Sequence, residues 1–157
     1  MHKTIQRRIQ AARGNLILVI IFTIANIMSY WFQFGFMMPF SAFIPFTIFD
    51  FSYYFSVELN DPNLFIGGII LASGVILLYI MGYVLSKKKP EWLTFMLVMY
   101  VFDTVVMLYL FIGIFAFNST MILDILFHIW VLYYFTNGVL AVNKLKTSRQ
   151  EIEEQPD

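Results

Sequence analysis

Four stretches of about twenty mostly apolar residues, each long enough to cross a bilayer, leave this chain little choice of fold. They cover residues 16–37, 64–85, 93–117 and 121–142. Of the 157 residues, 60% are hydrophobic and only 13% charged, where a soluble domain carries about 45–50% and about 25%. A soluble domain of this size cannot bury so much apolar surface. Inside a bilayer every backbone polar group must be satisfied internally, which selects helices. The sequence therefore predicts an all-α, four-transmembrane-helix bundle within residues 1–142 and a polar tail over 143–157, its last residues 151–157 disordered. The basic, apolar start is too long for a signal-peptide core, and no small-residue cleavage site follows it, so it reads as a retained first span.

Basic residues set the orientation. Lys3, Arg7, Arg8 and Arg13 precede the first stretch, Lys87, Lys88 and Lys89 lie between the second and third, and Lys144, Lys146 and Arg149 follow the fourth. With four spans, all ten fall on one side, which the positive-inside rule makes cytoplasmic. Asp50, Glu58 and Asp61 fall on the other. The expected location is the plasma membrane, multi-pass, with both termini cytoplasmic. The aromatic segment 39–57 is the alternative fifth span, but that topology would move six of the ten positive charges outside. Pro45 and Asp50 also lie within it. An outer interfacial or re-entrant segment between helices 1 and 2 is the better fit, because aromatic rings favour that depth.

Ionisable groups within apolar spans are costly and mark candidate sites. Asp103 lies in the third stretch; Asp124 and His128 share one face of the fourth at i, i+4 spacing. Asn15, Asn26 and Gln33 form a stripe on the first, with Ser29 close to it, which must face the bundle. Asn26 and Asp103 are each eleven residues from a reference residue, Asn15 and Trp92, near the basic boundary, so Asn26 is expected to face Asp103. With the hairpin turn at Asn118, Ser119 and Thr120, the residue types that cap a helix, His128 comes level with Tyr109. Asp103 would then lie about 9 Å deeper, giving two polar sub-sites rather than one, with a water or Tyr134 as the bridge. Asp124 and His128 are weak metal-ligand candidates, lacking other ligands nearby in sequence. For each group the plain alternative is interhelical glue.

The strings Ser41-Ala42-Phe43-Ile44-Pro45, Asp103-Thr104, Asp124-Ile125-Leu126-Phe127-His128-Ile129-Trp130 and Arg13-Gly14-Asn15-Leu16 carry a family resemblance. On these the chain resembles functionally unassigned small four-span membrane proteins of low-GC Gram-positive bacteria. The resemblance implies a bacterial plasma membrane and no particular chemistry. The Asp-x-x-x-His spacing is also similar to zinc sites of cation-diffusion transporters. This chain lacks their six spans, second paired motif and cytoplasmic domain, so no ligand role is carried over.

The leading functional reading is a small transport or accessory subunit with a buried polar site for a proton, a cation or a polar headgroup. Its candidate residues are Asp103, Asp124, His128, Asn26 and Tyr109. The alternatives are an intramembrane acid–base enzyme acting on lipid and a purely structural partner subunit. The enzyme reading lacks a serine or lysine at the depth of His128. No cofactor is expected, and zero net charge gives no pointer to nucleic acid. The expected partners are the lipid bilayer and, through the small-residue strip Gly67, Gly68, Ala72, Gly74 and Gly82, a homodimer or larger membrane complex.

The chain contains no cysteine, so single cysteines report topology cleanly. Placed at Asn60, Lys88 or Ser148 and probed with an impermeant thiol reagent on intact cells, only the variant at Asn60 is expected to label. Labelling at Lys88 or Ser148 would instead indicate five spans.

Overall fold

In the computed structural model, residues 2–35, 38, 41–113 and 119–153 are described. They form five α-helices: α1 (His2–Trp31), α2 (Phe43–Glu58), α3 (Pro62–Lys88), α4 (Trp92–Gly113) and α5 (Ser119–Glu153). Four of these, over Lys3–Trp31, Pro62–Lys88, Trp92–Gly113 and Met121–Ser148, are long and apolar enough to cross a membrane. The chain is a small, multi-pass integral membrane protein.

Both terminal helices outrun the apolar stretches that define them. α1 begins at His2, and its early residues Ile5, Ile9 and Ala12 are buried. α5 continues through Glu153, so most of the expected polar tail is helical; residues 154–157 lie outside the described set. The two helices pack closely together. A Cβ built on Gly138 would lie 2.5 Å from the Cβ of Ala12, closer than real atoms approach. On α3, a side chain at Gly68 would collide with Ser52 of α2, and one at Gly82 with Met96 of α4. Gly67 and Gly74 face open space. The small residues of α3 thus serve several faces rather than a single strip.

One end of the bundle is basic. Arg13, Lys87, Lys88 and Lys89 line a common cleft there with Leu145 of α5. The Arg13 guanidinium donates to the carbonyl of Ser86 in the last turn of α3, where a helix presents unpaired carbonyls to a cation.

The route from α1 to α2 explains the aromatic segment. α1 ends in a paired-carbonyl cap: Phe34 N–H donates to Ser29 O at 2.9 Å and Gln33 N–H to Tyr30 O at 3.1 Å. Gln33 takes φ 55°, the left-handed conformation this cap requires of the residue past the helix. Gln33 therefore leaves the inward stripe that sequence spacing predicts, and its side chain is exposed. Asn15, Asn26 and Ser29 stay buried on it. The chain then doubles back along α1. Asn26 binds the backbone of Met38 through both Nδ2 (2.8 Å) and Oδ1 (2.6 Å), and its Nδ2 also reaches Ser41 Oγ (2.9 Å). Deeper still, Ala42 N–H donates to Thr23 Oγ1 at 2.8 Å. Thr23 lies eight residues inside the end of α1, about 12 Å.

From that interior point α2 runs back toward the acidic end. Its 16 residues span about 24 Å, short of the about 30 Å hydrocarbon thickness. It packs chiefly on α3 and turns into it through a second cap, with Asp61 N–H on Ser56 O (3.0 Å) and Asn60 at φ 51°. Asp61 then caps α3 by accepting from Asn63 N–H at 3.0 Å, with Pro62 in the first turn. The segment between the first two spans is a helix whose start is bonded to buried side chains of α1 and α4.

Gly138→Val is expected to lower the melting temperature in detergent by prying α5 from α1. Gly74→Ala, with open space above it, is expected to be neutral or stabilising by up to about 1 kcal/mol. Gln33→Gly is expected to stabilise by about 1 kcal/mol, because glycine adopts positive φ without a Cβ penalty. Thermal unfolding of the purified variants measures all three.

Candidate functional site

The first amides of any helix have no partner within it, and those of α2 begin beside the buried residues Thr23, Ala42 and Asp103. Each is accounted for. Ala42 N–H is taken by Thr23. Phe43 N–H donates to Asp103 Oδ2 at 2.8 Å and Ile44 N–H to Asp103 Oδ1 at 2.8 Å. The next residue, Pro45, has no N–H, which is why proline is tolerated in a first turn. One carboxylate from α4 therefore caps a helix 60 residues away in sequence. It lies where the helix dipole favours negative charge.

Asp103 has a third partner. His128 Nε2 lies 3.2 Å from Asp103 Oδ2, and the two side chains are 5% and 1% exposed. The other ring nitrogen, Nδ1, is 2.9 Å from the backbone carbonyl of Asp124. A carbonyl only accepts, so Nδ1 carries a proton. The Nε2–Oδ2 contact then requires one more proton, shared between the two atoms. The pair is electrically neutral in sum, as imidazolium with carboxylate or as imidazole with carboxylic acid. The ring of Tyr100 stacks on His128 with centroids 5.1 Å apart and planes 17° from parallel, fixing the imidazole against rotation.

This arrangement corrects the expectation of two separate sub-sites. α4 is described as far as Gly113, and residues 114–118, which include the expected cap Asn118, lie outside the described set. Asp103 is ten residues before Gly113 and His128 nine after Ser119, so the two are level, about 15 and 13.5 Å from the helix ends. The contact is direct, with no need of Tyr134 as a bridge. Tyr109 does not join: it is 69% exposed, six residues from Asp103 and so about 120° around the helix. Asn26 does not face Asp103; its amide is spent on Met38 and Ser41. Asp124 meets His128 through its backbone carbonyl, while its half-buried carboxylate lines a cavity of about 230 Å³ with His128, Asn26, Ser41 and Asp50.

A metal at Asp124 and His128 would have to displace one of these bonds, since both imidazole nitrogens are engaged. Among the described residues no three His, Asp, Glu or Cys side chains converge, where a zinc site needs at least three protein ligands. Reasoning from sequence missed Thr23, Ser41, Tyr100 and the amides of Phe43 and Ile44. A usable signal was Pro45 two residues past Phe43, marking a helix start inside the aromatic segment.

Toward the basic end, the hydroxyls of Tyr79 and Tyr100 are buried and meet no hydrogen-bond partner. Tyr100 lies three residues before Asp103 on α4, and Tyr79 belongs to the same core cluster as Tyr100. They extend the polar line past the pair.

Comparison with known proteins finds no matching family, no matching curated protein and no matching solved structure.

Asp103→Leu strands two buried amides and the imidazole, at about 1–3 kcal/mol for each unsatisfied group, and is expected to prevent α2 from docking. Asp103→Asn keeps one acceptor oxygen but turns an N–H₂ toward the Phe43 or Ile44 amide, and is expected to cost about 1–3 kcal/mol. Amide hydrogen exchange at Phe43 and Ile44, read beside the melting temperature, separates local release of α2 from global loss of structure.

Proposed function

We propose that the chain is a plasma-membrane protein, a small transport or accessory subunit rather than an enzyme, whose Asp103–His128 pair takes up and releases one proton. Both termini are on the cytoplasmic side in this reading, and the acidic end faces outward. The observation that carries it is a single carboxylate that binds the imidazole of α5 and the free amides of α2 at once. Withdrawing the shared proton leaves Nε2 and Oδ2 as two acceptors facing each other; adding a second puts two donors there. Either change weakens the pair, so proton occupancy biases how firmly α2 is held. The cavity lined by Asp124 and Asp50 supports access from the acidic end. The open faces at Gly67 and Gly74 keep a homodimer or larger complex within the proposal.

The test exploits the small number of histidines, two in the chain. In the His2→Gln variant, nitrogen NMR reads His128 alone. It is expected to change protonation state in one step, with the Phe43 and Ile44 amides losing protection over the same pH interval. Dye-loaded proteoliposomes then separate the roles: proton flux lost in Asp103→Asn marks a transporter, and no flux marks an accessory subunit. An imidazole invariant wherever the protein stays folded would sink the proton reading and leave a structural subunit.

A further inference from the structure

The acidic end contains a second feature, which shares Phe46 and Asp50 with the cavity beside the buried pair. A cavity of about 730 Å³ opens between the last turn of α1 and the first half of α2, walled by Tyr30, Trp31, Phe46 and Tyr53, with Asp50 supplying its carboxylate. That volume lies within the range of small-molecule sites, about 300–1,000 Å³. Its rings do not lie flat on one another. Phe46 and Tyr53 meet Tyr30 edge-on, at 81° and 82°, with centroids 5.8 and 6.1 Å away. Rings set at right angles present their faces to different sides of a common space. Trp31 is held in place from behind by Phe65, stacked at 5.6 Å. Tyr30 also hydrogen-bonds to Asp50, which fixes the acid against the wall.

The charge pattern says what such a space would take. No lysine, arginine or histidine occurs between Arg13 and Lys87, and His128, which shares the smaller cavity with Asp50, has both ring nitrogens engaged by Asp103 and the Asp124 carbonyl. An adjoining cavity adds Glu58 beside Tyr30 and Tyr53, deepening the negative field. An anion is disfavoured here. A hard metal ion wants six or more oxygen ligands, mostly carboxylates and carbonyls, and this cavity offers one carboxylate, with Ser29 and Gln33 as its other non-aromatic polar side chains. An organic cation uses every wall: its charge pairs with the carboxylate and the ring faces, and its carbon substituents cover apolar surface. We infer that this cavity is a binding site for an alkylammonium group, whether carried by a free small molecule or by a lipid headgroup.

Tetraethylammonium and benzyltrimethylammonium, titrated into the full-length protein in maltoside detergent, serve as probes, read by calorimetry and by tryptophan fluorescence. Saturable binding is expected, with the fluorescence change lost in Trp31→Phe. Asp50→Asn and, as a second variant that keeps apolar bulk, Tyr53→Leu are each expected to weaken binding by about tenfold, the scale of one charge or cation–π contact. Glu91→Gln, at the opposite end, is expected to leave it unchanged. Nanodiscs distinguish the two sources. If phosphatidylcholine, but not phosphatidylglycerol, competes with the probes in wild type, the occupant is a lipid headgroup. Equal binding in both lipids indicates a free cation. No saturable binding to folded wild type, or equal affinity in wild type and folded Asp50→Asn, would overturn the inference. The nitrogen spectrum of His128, recorded without the probes and with Asp50 intact, tests the proton reading separately.

Discussion

Free backbone amides in a place without water must be given acceptors, and that requirement organises this protein. A helix that starts inside a bundle carries its unpaired N–H groups to a depth where leaving one unmade costs several kcal/mol. Here Thr23 and Asp103 supply the acceptors and Pro45 removes a donor. The same carboxylate holds His128, so the cap is also a contact joining α4 to α5. Asn26 secures the chain that leads in. Side chains from α1, α4 and α5 thus converge on the beginning of α2, and each spends its polarity on a group that hydrocarbon could not satisfy.

The spans were legible because they rest on one physical quantity, apolar length against bilayer thickness. The buried faces of Asn15, Asn26 and Ser29 on α1, and of Asp103 and His128 further on, were legible from the cost of polarity in hydrocarbon. Register between helices was not. Depth counted from a turn at Asn118 sets Tyr134 nearly level with Asp103, where the structure has His128. Composition gives no such register, because Ile114 to Phe117 are as apolar as the helix before them. Gln33 escaped for a similar reason: its spacing fitted the stripe, but the chain had already turned at Trp31, and no glycine marked the reversal at that position.

The two ends of the bundle differ in more than charge. At the basic end, α1 and α5 pack tightly, with buried Ile5, Ile9, Ala12, Ala141 and Val142. At the acidic end, aromatic rings from α1, α2 and α3 meet mostly edge-on, as Tyr30, Phe49 and Phe65 do, and leave cavities between them. Close packing of small residues against one another needs flat, smooth helix faces; edge-on rings leave gaps by their shape. The candidate sites lie on or beside α2.

The separation in sequence between α2 and its cap has a consequence for biogenesis. Phe43 and Ile44 wait for a carboxylate some 60 residues downstream, and that carboxylate pairs with an imidazole another 25 residues on. As the chain emerges, α1 and α3 can enter the bilayer on their own apolarity, and Thr23 of α1 can serve Ala42, but the amides of Phe43 and Ile44 have no acceptor until α4 arrives. Until then the segment has every reason to stay at the aqueous boundary, where its rings are at ease. Its passage into the bundle is a late step, taken only once the last hairpin is in place, and a chain truncated before α4 would have the residues of α2 without the means to seat them.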